Sequence, residues 1–71
     1  MPTVTIDHIT YNIIEARTPE DMESLGYSRT AQAMRESRIT HDLHLQRPRG
    51  RRYYHAVQWE SGVHSTVTTL F

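Results

Sequence analysis

The chain contains neither cysteine nor lysine. Without cysteine there are no disulfides, no thiolate zinc sites and no thiol nucleophile. Without lysine, all eight cationic side chains are arginine, so every fixed positive charge is a planar fork with five donors. Glycine and proline number only three each, which excludes collagen-like and low-complexity segments. The glycines stand singly at punctuation points, and no phosphate-cradling glycine loop is present. No apolar run approaches the ~20 residues of a membrane-spanning helix. The first residues, Met-Pro-Thr-Val-Thr, lack a charged region followed by an apolar one. The expectation is a cytoplasmic protein with no membrane partner.

What remains is enough for one small domain, residues 1–71, that is 37% hydrophobic and 23% charged. A domain of this size buries only about 60% of the surface its unfolded chain exposes, so its stability margin is narrow. Eight acids balance the eight arginines, but unevenly. Residues 1–46 hold four arginines and seven acids, whereas residues 47–71 hold four arginines and one acid. The chain is neutral and dipolar.

Apolar spacing gives the elements. Val4, Ile6, Ile9, Tyr11 and Ile13 alternate around Asp7-His8, which predicts a hairpin pairing Ile6 with Ile9 and Val4 with Tyr11. Thr18-Pro19-Glu20-Asp21 has the composition of a helix start: a capping hydroxyl, a proline at the first position, and acids facing the dipole. Gly26 is a stop signal. The segment 19–37 therefore reads as one helix broken at Gly26, or as two short helices, with Met22, Ala31 and Met34 inward.

The remainder predicts a three-stranded meander. Arg47-Pro48-Arg49-Gly50 fits a type I turn closed by a left-handed glycine, which pairs Leu45 with Tyr53, Leu43 with His55 and Ile39 with Trp59. Trp59-Glu60-Ser61-Gly62 repeats that grammar and pairs His55 with Val67. Together the two turns put Ile39, Leu43, Leu45, Tyr53, Val57, Trp59, Val63 and Val67 on one face. Thr66, Thr68 and Thr69 suit a half-exposed last strand. The expected fold is α+β, in the order β-β-α-β-β-β, with a mainly antiparallel sheet and the helical segment on one face.

The sharpest local feature is Arg47-Pro48-Arg49-Gly50-Arg51-Arg52-Tyr53-Tyr54. Four arginines crowd a hairpin tip, and the expected pleat puts Tyr54 and His44 on the outer face beside Arg52. Arginine and aromatic side chains are the residues enriched at protein interfaces. The first functional expectation is a non-catalytic protein that binds another protein or a second copy of itself through Arg47, Arg49, Arg51, Arg52, Tyr54 and His44. The alternative is nucleic acid on the same surface, with guanidinium forks on phosphates and an aromatic ring against a base. Charged tips also keep hairpins from pairing edge to edge, and a neutral chain lacks the net positive charge of most dedicated DNA binders.

A third reading centres on histidine. His41 and His44 point to opposite faces of a strand, while His41 and His55 share the apolar face in the expected register. Three convergent ligands are not apparent, as a metal site needs. Asp42, His44 and Tyr54 form a polar set without a recognisable nucleophile. No cofactor is implied. Zinc-finger, helix-turn-helix, cold-shock and ribbon-helix-helix patterns each fail on residue types or on element count.

Overall fold

The computed structural model describes residues 2–67. Five strands, β1 (Thr3–Ile6), β2 (Ile9–Arg17), β3 (Ile39–Gln46), β4 (Tyr53–Trp59) and β5 (His64–Val67), form one sheet in the order β1-β2-β3-β4-β5. All neighbours are antiparallel. Two helices, α1 (Pro19–Ser24) and α2 (Ser28–Glu36), lie between β2 and β3 in the chain and pack on one face of the sheet. The α+β meander expected from sequence is the observed fold. The threonines expected to extend the last strand, Thr68 and Thr69, lie outside the described residues.

Local chemistry explains the connections. The first hairpin turns on Asp7 and His8, both at positive φ (52° and 68°), and Ile6 pairs with Ile9 as the alternation requires. Thr18 and Asp21 close a capping box: the Asp21 amide donates to the Thr18 hydroxyl at 3.2 Å, and the Thr18 amide donates to the Asp21 carboxylate at 2.9 Å. Gly26, at φ 89°, ends α1. Its amide donates to the Glu23 carbonyl and the Tyr27 amide to the Met22 carbonyl, which settles the helix as two pieces.

The turn at Trp59–Gly62 also follows expectation. Gly62 is left-handed, the Trp59 amide donates to the Val63 carbonyl, and His55 pairs with Val67. The arginine turn does not. The Gly50 amide donates to the Arg47 carbonyl, but Gly50 is not left-handed, and the loop runs on to Arg52. Gln46 therefore pairs with Tyr53, Leu45 with Tyr54 and His44 with His55, one residue away from the expected register. At the other end of the same ladder Ile39 does pair with Trp59, and a bulge between Ile39 and His41 absorbs the difference. A second bulge lies in β2 between Ile13 and Glu15 and turns Ile14 outward.

These register shifts overturn the single apolar face. The structure has two cores, one on each side of the sheet. On the helical side, Met22, Ala31 and Met34 pack on Ile39 and Val57, with Trp59 and Val67 at the margin. On the other side the curling sheet folds over itself, and Ile6, Tyr11, Leu43, Leu45 and Ala56 are buried with Tyr54 against them. Tyr53 and Val63, expected in the core, are exposed. The physical reason is burial on both faces. Once each side is covered, apolar residues no longer report a single pleat parity.

Candidate binding surface

Tyr53, His55 and Val57 alternate along β4 and face the helical side of the sheet. Gln46, His44 and Asp42 stand opposite them on β3. The helices cover Val57 and Asp42 but leave the outer part of this row open. Buriedness falls steadily along it: Asp42 is 6% exposed, His44 and His55 are half-buried, and Tyr53 is 68% exposed. Beyond Tyr53 comes the arginine loop. The row thus leads from the helix-covered core to the four guanidinium groups.

His44 and His55 stand directly opposite each other across the ladder, with ring centroids 4.3 Å apart and planes tilted by 48°. With Arg52, Tyr53, Tyr54, Thr66 and Val67 they line a cleft of about 330 Å3. Three of the six residues expected at the site, His44, Arg52 and Tyr54, are therefore together. Tyr54, however, is not the outer-face aromatic. Its ring meets Tyr11 edge-on at 5.3 Å in the second core, and the Arg47 guanidinium lies 5.9 Å from its centroid. The exposed aromatic beside the arginine loop is Tyr53, and His55 joins His44 where His41 and His55 were expected to meet. His41 instead pairs with Gln58, and its Nδ1 lies 3.0 Å from the Thr40 hydroxyl.

The charges sort clearly. Among the described residues, ion pairs form only at Arg17 and Arg35. Arg17 holds Glu15 through two hydrogen bonds of 3.0 Å, and Arg35 holds Glu23 with Glu20 nearby at 3.9 Å. Arg47, Arg49, Arg51 and Arg52 are all exposed and pair with no carboxylate among the described residues. The acidic start of α1 is already committed: Asp21 to the cap, Glu20 and Glu23 to Arg35.

A second pocket of about 330 Å3 opens on the inner side of the histidines, lined by Arg17, Met22, Tyr27, Thr30, Asp42, His44 and His55. Asp42 Oδ1 is buried there without a hydrogen-bond partner among the described residues. Burial raises the Asp42 pKa above its ordinary value, against the pull of His55, His44 and Arg17. Among the described residues, no three His, Asp or Glu side chains converge as a metal site would require. Comparison with protein-family models, with curated proteins and with solved structures finds no match to the chain.

Proposed function

We propose that this small α+β domain works by binding, and that its partner is an acidic macromolecule held by the Arg47–Arg52 loop and the adjacent Tyr53. One observation carries the reading: four exposed guanidinium groups crowd a single loop without a carboxylate partner among the described residues. Arg17 and Arg35 hold acids, and Arg29 and Arg38 stand singly without an ion pair among the described residues, so the loop is where unpaired positive charge is concentrated. Tyr53 adds a large exposed ring with few rotatable bonds, the kind of anchor that favours an interface. Self-association of this loop with α1 of a second copy is less well supported, because Glu20, Asp21 and Glu23 already have partners.

The test is binding of the full chain to two generic polyanions, heparin and poly-glutamate, at low and physiological salt. Binding that weakens with salt, and that fails in the doubly substituted Arg51→Glu, Arg52→Glu chain, supports the reading. Circular dichroism of that variant should be unchanged, since both side chains are exposed. Failure of both polyanions to bind at low salt would overturn it.

A further inference from the structure

We infer that the acidic partner is a single-stranded nucleic acid, whose phosphates meet the arginine loop and whose unpaired bases stack along the row Tyr53, His55 and His44. The inference rests on the binding role proposed above and names the partner class. Three observations carry it.

The first is the placement of the rings. Tyr53 and His55 are two residues apart on β4, and His44 stands directly across from His55 on β3, so all three share one face of an antiparallel sheet. The helices leave this part of the face open, as the 68% exposure of Tyr53 shows. Open sheet faces that carry aromatic rings are a general way to receive unstacked bases, because every base has a π-face to offer.

The second is the chemistry of the cleft. Its lining residues are two histidines, two tyrosines, Arg52, Thr66 and Val67, with no carboxylate among the described residues. Glu15, which pairs with His44 from the β2 side, is tied to Arg17 and lies outside the lining. A volume of about 330 Å3 is near the lower end of the roughly 300–1,000 Å3 typical of ligand pockets. That is space for a planar ring system. An acidic protein face would satisfy the arginines without calling on this ring-lined recess.

The third is continuity. Arg52 and Tyr53 are adjacent in sequence, and both line the cleft. Arg51, Arg49 and Arg47 continue from Arg52 around the loop, with Arg47 braced over the Tyr54 ring. A strand with a base in the cleft would have its next phosphates at guanidinium groups. A duplex keeps its bases stacked inside and could use the loop but not the rings.

The experiment is fluorescence anisotropy of the full chain with labelled 12-mers: dT12, rU12, an abasic strand of equal charge, and a duplex. The expected result is tighter binding of dT12 or rU12 than of the abasic strand or the duplex. Tyr53→Ala should weaken the base-bearing strand roughly tenfold and leave the abasic strand unchanged, while Tyr53→Phe should retain affinity. The log-log salt slope should approach about −2.8 if all four arginines meet phosphates. Equal affinity for the abasic strand and dT12, a preference for duplex, or indifference to Tyr53→Ala would overturn the inference. Those outcomes, with heparin or poly-glutamate still bound, leave the broader binding role standing. Loss of all polyanion binding removes both.

Discussion

His44 and His55 face each other across β3 and β4 with their rings 4.3 Å apart, and the buried carboxylate of Asp42 lies one step further in on the same face. Burial raises the Asp42 pKa above its ordinary value of 3.8. A carboxyl shifted upward binds its proton more tightly in the folded chain than in the unfolded one. Its contribution is fully present below the ordinary value and is lost as pH rises through the folded value. Asp42→Asn should therefore flatten the alkaline side of the stability profile. At pH 8 the variant should be more stable than the parent by about 1–2 kcal/mol, the scale of an unsatisfied buried group, with little or no gain at pH 3. Urea midpoints at the two pH values check this. Asp21 and Glu23 act in the opposite sense. Hydrogen bonds from Thr18 and from Arg35 lower their pKa values, so their stabilisation is present above the ordinary carboxylate range and lost as pH falls through the lowered values.

The register of the arginine hairpin is open to a pair of substitutions. Tyr54 packs on Tyr11 and Tyr53 is largely exposed. Tyr54→Ala should cost about 2 kcal/mol, from lost burial and the lost edge-on ring contact. Tyr53→Ala should change stability by less than about 0.5 kcal/mol. Thermal melts that reverse this order would show that Tyr53, and not Tyr54, pairs with Leu45.

Asp7 and His8 both hold positive φ without being glycine. A two-residue turn of this kind prefers glycine at its second position, and a side chain in the left-handed region is disfavoured by roughly 1–2 kcal/mol. His8→Gly should raise stability by about 1 kcal/mol, less the extra freedom glycine gives the unfolded chain. Chemical denaturation is the measurement, and a loss of stability would show that His8 makes an interaction the turn requires.

Met34 and Leu45 are fully buried on opposite sides of the sheet. Each truncation to alanine should cost about 2–5 kcal/mol. A chain this short has little stability to spare, so either variant should unfold well below the parent temperature. If only one did so, the cores would not be equally tight.

The places where the sequence was legible share a physical cause. The Asp7-His8 hairpin, the Thr18 cap, the Gly26 stop and the Trp59–Gly62 turn are all set by neighbours within about five residues. Their chemistry survives whatever packs on them. The arginine hairpin is different. Its loop length was settled at a distance, by Tyr54 fitting against Tyr11 and by the bulge near Thr40. Alternation along β3 and β4 stays visible in the residues, but covering both faces hides which side each apolar residue serves. The same one-residue shift moved the site. Arg47, Arg49, Arg51 and Arg52 are exposed on the loop as expected, and His44 and Arg52 line one cleft. Tyr53 and His55 fall outside the expected site because the expected register puts both on the apolar face. The signal that could have found them is the Arg51-Arg52 pair, two charges better suited to extending a loop than to starting a strand.

Strand order has a kinetic consequence. Every strand pairs with its neighbour in the chain, so β1–β2 and β3–β4–β5 can each zip locally, on the ~1–10 μs scale of a hairpin. The costly strand pairing is between β2 and β3, across the helical excursion of residues 18–38. The expected rate-limiting event is the docking of two preformed hairpin units while α1 and α2 settle on the sheet. Truncating Ile13, at that seam, should slow refolding in stopped-flow experiments. Truncating Val67, at the far edge, should chiefly accelerate unfolding. The ring row itself lies wholly within the β3–β4 unit, so the expected order assembles it before the domain that carries it is complete.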